Sequence, residues 1–420
     1  MATPISRRTL LAAGAGAAAG LSLPGVAAYA GGDSTIRVAF RLDARVLDGG
    51  EQVTSITLGT ARLGRIDAAS LTTGTFRVHA RATSPIPLAP GDQVGYDLER
   101  PVTAVRLDHR GNIVLELSYG EGQVGGNTLG YVVSRGRNVL LDLVYTITQT
   151  APIVLRNGSS ITISNFVQGR LSDLEVDAFS YHRSGSGMKY RLYSPSRGSQ
   201  GRRPLVVWLH GGGEGASLPD NYYDNESTLR ANRGALGFAT PEAQRIFSGA
   251  YVVAPQSTSR WLDDGPRFAP LIREIIRDLV RRRRIDRERI YLAGASNGGY
   301  MTLKMTAIYR DLFAASVPIC PVVGSFPPGG PPVITDAELR SIRTPTWLVT
   351  SRDDDVVPPE PNTVHAHNLI PGSLMTLYDN VVWNGYRFPG HWSWIYVARN
   401  DPSINGTSIW QWMAQQQRRQ

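Results

Sequence analysis

Three separated stretches of this 420-residue chain carry side chains suited to nucleophilic attack on a polarised carbon. Gly294-Ala295-Ser296-Asn297-Gly298 places a serine between small residues, just after the apolar run Ile290–Ala293 and just before a helix-prone stretch from Tyr300 to Tyr309. A serine on a tight strand-to-helix turn has strained backbone geometry, and glycines on both sides let the turn form without collision. The turn lifts the hydroxyl into a cleft. It also aims the helix N-terminus, with the N–H of Asn297, at negative charge developing on an attacked carbonyl oxygen. The five letters alone recur by chance; the strand and helix around them make Ser296 the candidate nucleophile.

A hydroxyl is a weak nucleophile and needs a base that is itself oriented by an acid. On a turn of this kind the acid follows the serine in the chain and the histidine comes last. Downstream of Ser296 lie His365, His367 and His391. The first two come just past Asp353-Asp354-Asp355, where a helix opens, too soon to follow an acid on that loop. His391, within Phe388-Pro-Gly-His-Trp392, leaves room for a helix and a last strand from Met375 to Tyr378, and is the candidate base. The acid then comes from the Asp353–Asp355 loop behind the strand Thr346–Thr350. A calcium loop is the bland alternative for three adjacent carboxylates, but Val356-Val357-Pro358 offers few further oxygen ligands.

His210-Gly-Gly-Gly-Glu-Gly215 directly follows the apolar run Leu205–Leu209. Only glycine lets main chain come close enough to donate to an oxyanion, which makes Gly212 the candidate second donor beside Asn297, with Gly211 the alternative. A phosphate-cradling loop would continue into Gly-Lys-Ser/Thr, and this one does not. His210 reads as a hydrogen-bonding residue of the loop, not a catalyst. Trp261 and Trp392 are candidates to line the acyl or alcohol pocket, with core packing the alternative for each.

These residues need a frame. Leu205–Leu209, Ala250–Ala254, Ile290–Ala293 and Thr346–Thr350 are continuous apolar runs, as expected for strands buried on both faces. Between the second and third, Phe268, Leu271, Ile272, Ile275, Ile276, Leu279 and Val280 recur at i, i+3, i+4, i+7, which predicts an amphipathic helix over 268–283. Strands alternating with helices imply a mostly parallel sheet with right-handed crossovers. Upstream, from Thr35 to about Ile147, short β-rich runs are divided by turn signals with no helical period between them. Val102–Leu107 and Ile113–Leu117 are joined through Asp108-His-Arg-Gly-Asn112 as a hairpin. That region reads as a β-sandwich.

Hydrophobic content of 42% and charged content of 19% exclude wholesale disorder. The formal charge of +9 is mild. Its densest run, Arg281–Arg284, sits where a helix ends and opposes the helix dipole, without the aromatic interleaving of a nucleic-acid surface, so no nucleic-acid partner is expected. Arg7-Arg8 precedes a weakly apolar Ala/Gly-rich run and then Ala28-Tyr29-Ala30, which predicts a twin-arginine export signal over 1–30, secretion, and the twin-arginine machinery as a partner. Cys320 is the single cysteine, so no internal disulfide forms; its setting, Ala314–Cys320, reads as a buried strand end.

From about Tyr190 onward the chain resembles the secreted esterases and peptidases of the prolyl-oligopeptidase-like group of α/β-hydrolases. The stretches that carry the likeness are Leu209–Glu214, Val253-Ala-Pro-Gln256, Ile285–Gly299, Gly390-His391-Trp-Ser-Trp394 and Ile409-Trp-Gln-Trp412. The segment before about 150 is similar to the immunoglobulin-like domain found ahead of some of these esterases. The resemblance implies a signal peptide over 1–30, an immunoglobulin-like sandwich over 31–150, and an α/β-hydrolase domain over 151–420. It also implies a Ser296–Asp354–His391 triad, Asp354 being three residues ahead of Val357, with Asp353 the fallback. The implied reaction is carboxylester hydrolysis through an acyl-enzyme, on small or polymeric esters, with no cofactor and no metal. Serine peptidase and polyhydroxyalkanoate-type polyester depolymerase are the alternative activities, and a non-catalytic binding protein with a relic hydrolase domain is the alternative class. Two departures lie at the cleft mouth: Gly215 stands where an arginine commonly follows the glutamate, and the stretch 216–227 is longer than usual.

Overall fold

The computed structural model describes residues 36–196, 201–215, 225–326 and 329–418. The expected export signal lies outside the described residues, as does most of the long stretch after Gly215. Among the described residues no helix is long and apolar enough to cross a membrane.

The centre of the molecule is an eight-stranded sheet. Its strands are β1 (Phe179–Arg183), β2 (Lys189–Tyr193), β3 (Arg203–Leu209), β4 (Tyr251–Pro255), β5 (Ile285–Ala295), β6 (Ala315–Ile319), β7 (Trp347–Ser351) and β8 (Leu374–Tyr378). They lie in the order β1-β2-β4-β3-β5-β6-β7-β8. The β1–β2 hairpin joins β4 antiparallel, and every pairing from β4 to β8 is parallel. Buried residues run almost unbroken along β3 and β7 because helices cover both faces of the sheet. On one face, α1 (Trp261–Arg282) packs Phe268, Ile272, Ile275, Ile276 and Leu279 over Leu205, Val207 and Leu292. This helix begins earlier than its periodicity predicts. It continues back to Trp261 across a break at Asp264 (φ −132°, ψ 26°), and the prolines Pro266 and Pro270 hide that turn from a pattern-based reading.

The N-terminal region is built mainly of strands, with short 3-10 turns at Ala68–Ser70 and Val133–Arg135. One sheet takes the order Asn165–Ser172, Arg37–Leu47, Gly50–Leu58, Ile113–Leu117, Val102–Leu107; a second takes Tyr96–Arg100, Phe76–Thr83, Asp142–Gln149. Burial alternates along Arg37–Leu47, the mark of a strand with one face inward. Phe40, Val53, Ile56, Phe76, Val78 and Ile147 from the two sheets share one core. The Val102–Leu107/Ile113–Leu117 hairpin is present.

Asn165–Ser172 runs parallel to Arg37–Leu47, so strand pairing in the first region extends past 150 to Ser172, and the central sheet begins at Phe179. Sequence pattern could not assign this strand, because its partner lies more than a hundred positions upstream. Val46 closes the gap between regions by packing into the core beneath β3 and β6.

Candidate active site

The candidate residues converge at the carboxyl ends of the parallel strands, where open α/β sheets bind ligands. Register makes them neighbours. Leu209 pairs with Gly294, and Ala295 pairs with Ile319, so the glycine loop, Ser296 and Cys320 leave the sheet side by side.

Ser296 sits between β5 and α2 (Asn297–Ile308) with φ 57° and ψ −114°, a left-handed strain that a buried turn must enforce. Its N–H donates to Ile319 O at 2.8 Å and its carbonyl accepts from Tyr300 N at 2.9 Å, which pins the turn on both sides. A Cβ on Gly298 would lie 2.0 Å from Leu209 O, so only glycine allows the elbow to pack against β3. The Asn297 side chain accepts from Leu262 N at 3.2 Å and ties the elbow to α1, while its backbone N–H opens the helix and has no intrahelical acceptor.

His391 Nε2 is 2.9 Å from Ser296 Oγ, and His391 Nδ1 is 2.8 Å from Asp354 Oδ2. The other oxygen of Asp354 accepts from Val356 N at 3.0 Å and Val357 N at 2.8 Å. Of the neighbouring aspartates, Asp354 is the one in contact with the histidine. Asp353 turns away to accept from Ser351 Oγ at 2.8 Å and pair with Arg387 at 2.9 Å. The three adjacent carboxylates therefore do not converge as a calcium loop would require. His365 pairs with Asp336 at 2.8 Å, and His367 Nδ1 lies 2.9 Å from Ser373 Oγ, so neither approaches the serine.

The loop that carries His391 is clamped from beneath. Ser351 Oγ shares its one proton between Asp353 and Gly390 O, the latter at 2.6 Å, and Cys320 Sγ, fully buried, donates to His391 O at 3.3 Å. Burial opposes a charged imidazole here, but the hydrogen bond to the Asp354 carboxylate outweighs it and raises the His391 pKa above the ordinary histidine value. Sequence reasoning placed Cys320 at a buried strand end but gave no signal that it touches the base. Among the described residues, Cys320, Asp354 and His391 are also the one cluster whose ligating atoms lie close enough for a metal, within 4.8 Å of one another, and each is already engaged in the hydrogen bonds just given.

The glycine loop closes the site from β3. Gly212 faces the elbow: a Cβ there would sit 3.8 Å from Asn297 Cβ, which leaves the two candidate oxyanion donors on adjoining segments. Gly211 instead backs onto the Glu214 carboxyl. His210 is structural. Its Nδ1 donates to Gly211 O at 2.7 Å and its Nε2 accepts from Ser257 N at 3.1 Å, and burial lowers its pKa to about 4, so it stays neutral.

The two candidate tryptophans are placed differently, Trp261 buried and Trp392 partly exposed. Trp261 is fully buried beneath the loop; its indole N–H donates to His210 O at 2.9 Å and its ring lies against His210 and Phe268. Its position at the head of the helix is the core-packing alternative of the sequence reading. Trp392 stacks between Phe388 and Trp394 and faces Gly49 of the N-terminal region.

A serine, a histidine and an aspartate in hydrogen-bonded sequence on this sheet fit a serine hydrolase of the α/β-hydrolase fold. Comparisons with known proteins agree at that level. Residues 272–325 match the prolyl oligopeptidase family model. A Nocardia uniformis subsp. tsuyamanensis protein, "Putative esterase NocK", is 30% identical over 138 residues, 33% of this chain and 36% of that protein, so the likeness spans about a third of that relative. The crystal structure of a thermostable esterase is similar over 90% of this chain and 99% of its own, with a TM-score of 0.72 and 25% identity.

Proposed function

We propose that the chain is an exported carboxylic ester hydrolase working through an acyl-enzyme. The observation that carries this reading is the unbroken line from Asp354 Oδ2 through His391 to Ser296 Oγ, with both contacts under 3 Å. His391 Nε2 takes the proton of Ser296 as Oγ attacks the ester carbonyl. The N–H groups of Asn297 and Gly212 receive the oxyanion, and Asp354 orients and stabilises the imidazolium. His391 then protonates the departing alcohol, and water repeats the attack on the acyl-enzyme. The N-terminal region is read as the immunoglobulin-like domain of this arrangement, and 1–30 as its export signal.

The test is a panel of p-nitrophenyl acyl esters and a dipeptide p-nitroanilide, run with the wild type and Ser296→Ala. Ester cleavage that disappears in the variant supports the reading; cleavage that persists overturns the mechanism. The match to the prolyl oligopeptidase model favours a second reading, a peptidase, and cleavage of the anilide without the esters would establish it instead.

A further inference from the structure

The glycine loop has a wall that comes from the other region of the molecule. In the N-terminal region, Leu129–Val132 and Arg137–Leu140 form a hairpin in which Tyr131 lies directly opposite Asn138. Cross-strand partners share a face. This face meets the loop. The position a Cβ would take on Gly213 is 3.1 Å from Asn138 Nδ2 and 3.4 Å from Tyr131 Cε2.

Asn138 reaches further. Its Nδ2 donates to Glu214 Oε1 at 3.4 Å, a long bond made across the two regions. Glu214 is buried, and its other oxygen, which has no hydrogen-bond partner, lies 3.0 Å from where a Gly211 side chain would begin. The Glu214 backbone is held from the opposite side, its carbonyl accepting from Gln256 Nε2 and from Ser227 Oγ. Gly212 opens the short turn Gly212–Glu214 that these contacts hold at its far end. Whatever moves Asn138 or Glu214 therefore moves the N–H assigned to the oxyanion.

Tyr131 is differently placed. Its ring is 52% exposed although it abuts the loop, and its hydroxyl lies in the electrostatic field of Glu214 and Arg260, with burial raising its pKa. Arg260 borders the loop from the far side, its Cδ 3.8 Å from the Gly212 Cβ position. An aromatic ring with an open face beside an oxyanion loop contributes little to packing. It offers a surface to whatever extends from the reacting carbonyl.

We propose that this hairpin is part of the substrate site. Tyr131 is a specificity-determining residue that takes an aromatic or extended apolar group of the ester, and Asn138 is a positioning residue that holds the glycine loop through Glu214. The proposal rests on the ester-hydrolase reading above. The two roles separate kinetically. A ring that contacts only the remote part of a substrate acts on bulky esters and leaves acetate alone, whereas a displaced oxyanion donor slows every ester.

The experiment uses the full chain and two matched substrate pairs: p-nitrophenyl acetate with p-nitrophenyl 3-phenylpropanoate, and ethyl acetate with 2-naphthyl acetate. In Tyr131→Ala, KM for the bulky member of at least one pair rises roughly 3- to 10-fold relative to its small partner. Tyr131→Phe, which keeps the ring, restores the ratio. In Asn138→Ala, kcat falls roughly 3- to 10-fold on all four esters with KM unchanged, as for a weakened oxyanion contact. Unfolding midpoints within error of the wild type exclude a general loss of structure as the cause. Unchanged KM ratios in both pairs overturn the Tyr131 role, and an unchanged kcat in Asn138→Ala overturns the positioning role. A wild type that cleaves none of the four esters overturns the ester-hydrolase reading itself, a result distinct from active enzyme with unaltered ratios.

Discussion

The proton relay and the glycine loop, the two halves of the candidate site, are held by different parts of the molecule. The serine–histidine–aspartate row sits mainly on the central sheet: Ser296 and Asp354 follow β5 and β7, His391 follows the small hairpin of Val381–Trp383 and Tyr386–Phe388 beyond β8, and the supports Ser351 and Cys320 come from β7 and the end of β6. The loop is shared. It leaves β3, but Asn138 and Tyr131 of the N-terminal region press on it. Under the proposed mechanism, the hydrogen bonds that would carry the proton lie within the C-terminal part of the chain, with the flanking Trp392 and Tyr386 reaching the N-terminal region, whereas the geometry around the oxyanion depends directly on how the two regions meet.

That meeting is polar. Arg230 pairs with the fully buried Glu51, Arg399 makes two contacts with Asp48 at 2.9 and 2.8 Å, and Arg233 donates to Val46 O at 2.7 Å. Buried pairs contribute little net stability when intact, because removing two charges from water costs nearly what their attraction returns. Breaking one is another matter.

The comparison can be tested from its strongest element downward. Ser296→Ala should lower ester turnover by roughly 10⁴- to 10⁶-fold, with the unfolding midpoint unchanged. A loss of folding instead would mean the elbow, not the hydroxyl, was removed. Asp354→Asn should lower kcat by about 10⁴-fold. The base works only as neutral imidazole, so rate falls as pH drops through the His391 pKa. Removing the carboxylate that helps raise that pKa should move the acid limb of the pH–rate profile to lower pH. Asp353→Asn, whose partner Arg387 is exposed, should leave that limb where it is.

On the shared side, Arg230→Ala should destabilise the protein by about 3–5 kcal/mol in urea unfolding, because Glu51 is left buried without its cation. The residual folded enzyme should keep its relay, so the acid limb should not move. The smallest effect is expected at Glu214. Burial raises its pKa from 4.5 to about 7, so the folded state holds this proton more tightly than the unfolded chain does. Its contribution to stability is present below about pH 4.5 and is lost as pH rises through about 7. Glu214→Gln cannot ionise, and its unfolding midpoint relative to wild type should therefore increase between pH 5 and pH 8. A constant difference across that range would mean that Glu214 is not held protonated.

Much of this site was legible in the chain. The elbow announces itself because its glycines are required by close backbone contact, as Gly298 against Leu209 shows. His391 follows from chain order once His365 and His367 come too early. Asp354 over Asp353 rested on resemblance and needed side-chain direction to settle: consecutive residues on a loop have the same composition but point apart. Trp261 stayed open for the same reason, since an aromatic near the site is equally consistent with lining it and with lying under it.

What the sequence determined by itself is whatever depends on neighbours within a few residues: strand, elbow, helix, glycine loop, and the order of nucleophile, acid and base. Tertiary structure alone decided the strand Asn165–Ser172, the placement of Cys320 under His391, and the approach of Asn138 and Tyr131 to Gly213. Those contacts join positions tens to hundreds of residues apart. Their free energy resides in packing and burial across the fold, which no local pattern records.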